Sequence, residues 1–461
     1  MSQGSLSRRR FLYQTGALAA AGAVAARSPL SALASRADAG AVTLDFTLPG
    51  GSTSYVQAMQ AIVDSYAKLH PNVGFKKVTK YSGKSDYKLP LLASIAAGNP
   101  PDVTVVWDSP VGFGVQGAVE AIDQYLPTSS GSAIKDWPSA ALASCQFGGK
   151  TWGLPATAGS NCLFYNEELF QKKGIPTARD KFPATWDELR KLSKEFTLWK
   201  GGKLVSAGKV PMIGEEDELM QYVWPALNGG QIYDAANQRY TIDSDANVAT
   251  YEYMLSWLNE EYRGDAQAVD QSGNWLGYPD KTNRPSAFAL GTNAILEQGS
   301  WYLGDFYTVA PRFQRFGLAG FPVGPHGSKA TAGFWPNWIV IPKGSQHVAD
   351  AFAFMDYLGS KGVVTWFNAV PDLPANKLVP LLLPSVVVQK RGKAFATDAS
   401  AFFLHQLNIA RPLWNSPVAS IANDQLIKAR QRIMYKQVKP KQELADAQQA
   451  CQAALKKALS K

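Results

Sequence analysis

The stretch Ser94-Ile95-Ala96-Ala97-Gly98-Asn99-Pro100-Pro101-Asp102-Val103-Thr104-Val105-Val106-Trp107-Asp108 holds a helix end, a breaker and a strand in one run. Leu89 to Ala97 reads as a helix, and Gly98-Asn99-Pro100-Pro101 stops it, because proline lacks the N–H that a helix needs and glycine accepts the left-handed cap. Asp102 to Trp107 then reads as a buried strand, with Val103, Val105 and Val106 inside and Trp107 at its carboxyl tip. Strands alternating with helices predict an α/β sheet that is largely parallel. Ligands sit beyond the carboxyl ends of such strands, which makes Trp107 and Asp108 the first candidate binding residues.

Upstream, Val42 to Leu48 is rich in alternating apolar and β-branched residues and reads as a first strand. The loop Pro49-Gly50-Gly51-Ser52-Thr53-Ser54 follows, with Ser52, Thr53 and Tyr55 offering hydroxyls at the same edge. Val56, Met59, Ile62, Val63 and Tyr66 recur at helical spacing until Pro71, and Gly74 to Val78 reads as a second strand. Downstream, Thr185-Trp186-Asp187-Glu188 has the form of a capping box before a helix carrying Leu189, Leu192 and Phe196. Ile242-Asp243-Ser244 leads into a helix with Val248, Tyr251, Leu255 and Leu258 inward. Val348 to Leu358 reads as another helix, through Ala351, Phe352, Phe354, Met355 and Leu358. Leu444, Ala447, Cys451 and Leu455 mark the contact line of a final surface helix. No internal repeat or long linker divides the chain, so two lobes have to be interwoven.

The chain has 461 residues, 46% of them hydrophobic, enough for two cores. The first 39 residues read as an export signal and stand outside the fold. Arg8-Arg9-Arg10-Phe11-Leu12 fits a twin-arginine pattern, and Gly16 to Ala26 is apolar but too short for a membrane span. Cleavage is expected near Ala34 or Ala39, and the mature protein is expected outside the cytoplasm. Setting aside Arg8, Arg9, Arg10 and Arg27 leaves 42 basic against 37 acidic residues, so the net charge of +9 falls to +5. That weak balance, without a dense basic tract, argues against a nucleic-acid partner. Cys145, Cys162 and Cys451 cannot make a disulfide framework; a Cys145–Cys162 pair and three buried thiols are both open. Four histidines without metal-ligand spacing, and no phosphate loop or nucleophile elbow, predict neither a metal, a cofactor nor a catalytic centre.

Five pieces in order resemble the extracellular solute-binding proteins of ABC importers, the maltose-binding-protein-like sugar-binding family. They are Ser94 to Val103; Trp152-Gly153-Leu154-Pro155 with Leu163 to Phe170 and Thr185 to Leu189; Asn228-Gly229-Gly230; Ala294 to Trp301; and Gly320 to Pro325. The resemblance implies a two-lobed α/β periplasmic-binding-protein fold, type II-like, each lobe a mixed, mainly parallel sheet flanked by helices. Residues 40–155 and 322–372 would form the N-terminal lobe, and 156–321 and 373–461 the C-terminal lobe. Chain crossings are expected near Gly153 to Ala158, Phe316 to Phe321 and Val370 to Asn376. It further implies a monomer without cofactor or catalysis that captures a carbohydrate in an interlobe cleft and passes it to the membrane permease of an ABC importer.

A sugar presents apolar C–H faces and a rim of hydroxyls, so its site calls for aromatic rings and hydrogen-bonding groups. Trp107 and Asp108 supply both, and Trp301 and the segment Trp335-Pro336-Asn337-Trp338 match family positions that line the solute. Trp338 is expected to turn into the core if Trp335 and Asn337 face the ligand. Ser160 and Asn161 follow the first crossing, where relatives touch the solute. Each has a structural alternative: Ser52 and Thr53 as helix caps, Asp108 as a turn or cap residue, and the tryptophans as core. Glu297 reads as a paired carboxylate rather than a ligand, and Trp152 and Trp224 stand in reserve. A polyol, a glycerophosphodiester, a polyamine or an exported polysaccharide-active enzyme are the rival readings. Iron is disfavoured by the absence of adjacent tyrosines.

Overall fold

The computed structural model describes residues 41–81, 87–129, 136–137, 139–213, 218–280, 282–310, 312, 315–412 and 416–460. The arginine-rich export segment and its cleavage sites lie outside them. The chain divides into two compact units, the first running to Thr157 and resuming over Pro336–Ala369 and Pro374–Pro380. The second comprises Ala158–Trp335, Val370–Leu373 and Leu381–Lys461. The chain thus leaves the first unit after Thr157 and re-enters it at Pro336, later than the boundary expected at 322. The reason is local: Phe334 and Trp335 pair with the strand that starts at Thr157, and residues 332–334 pair with residues 410–412, so this segment stays with the second unit.

The principal strands, in chain order, are β1 (Val42–Leu44), β2 (Phe46–Leu48), β3 (Val73–Phe75), β4 (Thr79–Lys80), β5 (Val103–Val106), β6 (Leu154–Pro155), β7 (Thr157–Asn166), β8 (Ile295–Gly299), β9 (Phe316–Ala319), β10 (Ala332–Trp335), β11 (Trp338–Val340) and β12 (Ala410–Pro412), with shorter pairs between them and Leu373–Pro374 alongside β7. The single strand expected over Val42 to Leu48 is broken at Asp45. Its N–H donates to the Asp102 carboxylate, and its carbonyl accepts from the N–H groups of Asp102 and Val103. β1 therefore pairs with β3, while β2 joins the main sheet of the first unit.

That sheet has the order β4-β2-β5-β11-β6. β4, β2 and β5 are parallel, as strand–helix alternation predicts. β11 is antiparallel to both its neighbours, because it enters from the second unit and not through a helical crossover within this one. All four residues of β5 are buried. Helix α1 (Thr53–Leu69) buries Tyr55, Met59, Ile62, Val63 and Tyr66, a face turned slightly from the one expected, with Val56 only half-buried. Helix α2 (Lys88–Ala96) ends at Ala97, before the Gly-Asn-Pro-Pro breaker.

In the second unit β7 is central. β8 lies on one side, and on the other β9 pairs with its carboxyl half and β10 with its first residues; β12 continues beyond β10. β7 is antiparallel to β8, β9 and β10, so this sheet is mixed with less parallel pairing than expected; only β10–β12 among these pairs is parallel. Helix α3 (Trp186–Lys194) begins with the capping box, Thr185 Oγ accepting from Glu188 N–H and the Glu188 carboxylate accepting from Thr185 N–H. Phe196 lies beyond its end but is buried. Helix α4 (Asp245–Glu261) turns Val248, Tyr251 and Leu258 inward together with Met254 and Trp257, leaving Leu255 half-buried.

Helix α5 (Tyr302–Val309) packs Tyr302, Leu303 and Phe306 against Phe164, Phe316 and Phe403, the Phe306 and Phe316 rings only 4.3 Å apart. In the first unit, helix α6 (Val348–Tyr357) buries Ala351, Phe352, Phe354 and Met355. Helix α7 (Ser385–Ile409) is interrupted at Gly392, where φ is 84°. Helix α8 (Pro440–Leu459) buries Leu444, Ala447, Cys451 and Leu455, as their spacing predicts. The three cysteines are free and buried.

Candidate functional site

At the carboxyl edge of the first unit's sheet, β2 runs into the glycine loop and β5 into Trp107. The indole is half-buried and rests on Gly50, where a Cβ would stand 2.9 Å from the ring. Its backbone is held from α2: the Tyr87 hydroxyl accepts from both Trp107 N–H and Asp108 N–H at 2.9 Å and donates to Asp108 Oδ2 at 2.6 Å. Burial, then the charge on Asp108, pushes the Tyr87 phenol well above its usual range, so it remains a proton donor. Lys88 Nζ lies 3.3 Å from the other Asp108 oxygen. Both oxygens of Asp108 thus have internal partners, and its carboxylate serves the turn.

β11 is antiparallel to β5 with Trp338 opposite Val106, which places Asn337 next to Trp107 on this edge. Asn337 is half-buried, and its Nδ2 donates to Thr157 Oγ1 at 2.7 Å. Trp338 is fully buried and donates its indole N–H to Ser144, the inward turn expected of it. Ser52 caps α1, its hydroxyl accepting from Tyr55 N–H, and Thr53 is the exposed first residue of that helix. Tyr55, expected to face a solute, is instead in the core, its ring 5.6 Å from that of Trp366. Helical geometry explains the difference, since the position one turn before Met59 lies on the buried face.

The second unit gathers Trp301 and Trp335 at the start of β7. Gly299, the last residue of β8, pairs with Asn161, and the Trp301 indole lies over it. Trp335, the last residue of β10, pairs with Gly159. Both indoles are half-buried, and Trp301 also packs against the core around Phe306. Ser160 and Asn161, expected at the solute, are buried and bonded within the sheet. Ser160 Oγ donates to the Gly333 carbonyl at 3.0 Å, and Asn161 Oδ1 accepts from Gly333 N–H at 2.8 Å. They act on the frame that carries the indoles.

On β8, beside β7, Glu297 is buried. It accepts from the indole N–H of the buried Trp224 at 2.9 Å and from Asn161 Nδ2 at 3.3 Å, with Lys209 Nζ 3.8 Å away. Burial raises the Glu297 pKa and lowers that of Lys209, each effect opposed by the other's charge. The cavity beside them is about 20 Å³, room for a single water and not for a sugar. Trp152 is half-buried in the first unit with Lys150 Nζ 5.5 Å over its ring. No cluster of metal-ligating side chains occurs among the described residues. No described helix is long and apolar enough to cross a membrane.

The family model for bacterial extracellular solute-binding proteins matches residues 61–397, well over half of the chain. The chain belongs to that family. This solute-binding protein is 25% identical over 299 residues to a binding protein of Brucella abortus, covering 62% of the present chain. It spans 65%, just under two thirds, of the length of that relative. It is 23% identical over 336 residues to a maltooligosaccharide ABC transporter solute-binding lipoprotein of Streptococcus pneumoniae, covering 70% of this chain and 72% of the other. Among solved structures, a solute-binding protein of Thermotoga lettingae bound with α-D-tagatose superposes with a TM-score of 0.72 at 17% identity, covering 90% of this chain and all of the other. These structural likenesses establish the two-lobed α/β fold.

Sequence reasoning passed over Tyr87 and Lys88, which hold the Trp107–Asp108 turn, and Asp372, which accepts from Ser300 Oγ. The signal for Asp372 was its place in the expected crossing Val370 to Asn376. Tyr87 had only its position at the start of a helix.

Proposed function

We propose that this solute-binding protein captures a carbohydrate, a mono- or oligosaccharide, outside the cytoplasm and delivers it unchanged to the permease subunits of an ABC importer. The observation that carries the reading is a set of half-buried indoles at sheet ends: Trp107 in one unit, and Trp301 and Trp335 in the other. Flat rings with one exposed face suit the C–H faces of sugars, and Asn337 and Thr53 supply polar groups for the hydroxyl rim. Support also comes from relatives named for arabinooligosaccharides and maltooligosaccharides, and from similar folds solved with mannotriose, tagatose and maltotriose bound. A polyamine would need free carboxylates, whereas Asp108, Glu297 and Asp372 each have internal partners. The same engagement disfavours a glycosidase, which requires two carboxyl groups facing the substrate. The twin-arginine pattern supports export of the folded chain, with cleavage near Ala34 or Ala39.

A thermal-shift panel on the purified chain tests the reading, with mannotriose, maltotriose, arabinotriose, tagatose, polyols and amines. A true solute at a hundred times its Kd adds about 2.7 kcal/mol of stability. Trp107→Ala and Trp301→Ala are expected to abolish the shift while each apo melting temperature stays within a few degrees. Retention of the shift in both variants would refute the site. Silence from every sugar, or steady glycan turnover, would refute the function.

A further inference from the structure

Trp301 and Trp335 leave the second unit's sheet on opposite sides of β7, at its first residues; one buried carboxylate bonds the residue before the first and lies beside Gly159, the strand partner of the second. We propose that Asp372 is a positioning residue that sets the orientation of the two indoles, and through them the solute affinity of this edge. The affinity part rests on the carbohydrate reading; the orientation part does not.

Asp372 is 2% exposed and belongs to Val370–Leu373, a short return of the chain to the second unit. Its Oδ1 accepts the Ser300 hydroxyl at 2.5 Å, while Ser300 N–H donates to the Ser160 carbonyl at 2.8 Å. The residue preceding Trp301 is therefore fixed at two points, once to β7 and once to the carboxylate. On the other side, Gly159 faces both Asp372 and the Trp335 carbonyl. A Cβ on Gly159 would stand 2.9 Å from Asp372 Oδ1 and 2.9 Å from the Trp335 oxygen. The carboxylate fills the space that a side chain on β7 would occupy, directly beside the strand partner that carries the second indole. A buried carboxylate is costly unless it is hydrogen-bonded, and charge-assisted bonds are the stiffer kind. The Ser300 bond to this side chain therefore holds the Ser300–Trp301 turn in place.

The test uses the purified chain labelled with 5-fluorotryptophan and needs no solute for its first part. The Trp301 and Trp335 fluorine resonances are assigned from Trp301→Phe and Trp335→Phe. Asp372→Ala should move both resonances and leave that of Trp107 in place. Asp372→Asn, which keeps an acceptor oxygen for Ser300, should return the Trp301 resonance toward its original position. Gly159→Ala should displace Trp335. Should Asp372→Ala fail to fold, Ser300→Ala removes the donor and moves Trp301 alone. In the second part, titration with the sugar most effective in the panel should show affinity about tenfold weaker in Asp372→Ala, with substantial recovery in Asp372→Asn. Unmoved resonances, equal movement of all tryptophans, or unchanged affinity in Asp372→Ala beside weakened Trp301→Phe would overturn the proposal. Failure of the carbohydrate reading looks different: the unsubstituted chain responds to no sugar, while the fluorine result stands on its own.

Discussion

Gly50 lends the Trp107 indole the space where a side chain would be. A methyl group there would approach to 2.9 Å, so the ring has to tilt or slide. Gly50→Ala is expected to weaken solute binding about tenfold, or about 1.4 kcal/mol, with little change in unfolding midpoint, as isothermal calorimetry and urea titration would show. The large aromatic candidates were legible in the sequence, because an indole at a strand end leaves a mark in the local pattern. The small polar ones were not. Asn161 finds Glu297 136 positions away, and Ser160 finds Gly333 173 positions away. A side chain's partner at that separation is set by the sheet register, which no local window contains. The partners of Asp108 were hidden in the same way: they sit at the start of a neighbouring helix, at Tyr87 and Lys88.

Among elements, helix α8 shows how far periodicity alone carries. Its contact line of Leu444, Ala447, Cys451 and Leu455 was readable from three- and four-residue spacing, and all four are buried. Burial pushes the Cys451 thiol from 9.0 up to about 12. The unfolded chain then loses this proton at lower pH than the folded one. The stabilisation is present in full below pH 9 and is lost as pH rises toward 12. By pH 11 this one group should remove roughly 3 kcal/mol. Urea midpoints measured from pH 8 to 11 should fall more steeply in the wild type than in Cys451→Ala; parallel slopes would contradict it. Strand β1–β2 marks the opposite case. Val42 to Leu48 has an unbroken strand composition, yet Asp45 divides it by bonding to Asp102, a contact set by tertiary structure.

For the molecule as a whole, the resemblance made two interwoven lobes legible, but the second crossing was expected near Phe316 to Phe321 and the chain re-enters the first unit at Pro336. The pairing of β10 with β7 keeps the chain in the second unit for longer. A fragment of residues 41–157 is expected not to fold, since β11, the strand between β5 and β6, is missing from it. Far-ultraviolet circular dichroism and amide dispersion should show a largely unstructured chain, and joining residues 336–380 through a flexible linker should restore order. A cooperatively folded 41–157 fragment would refute this. The same arrangement governs events during synthesis. A ribosome working through the second unit has already released β5 with one flank uncovered, and that flank stays open until Val340 emerges. For that interval the nascent chain carries an unpaired, valine-rich segment able to pair with a neighbour, so translation speed and chaperone occupancy, more than final stability, should decide how much of it escapes aggregation.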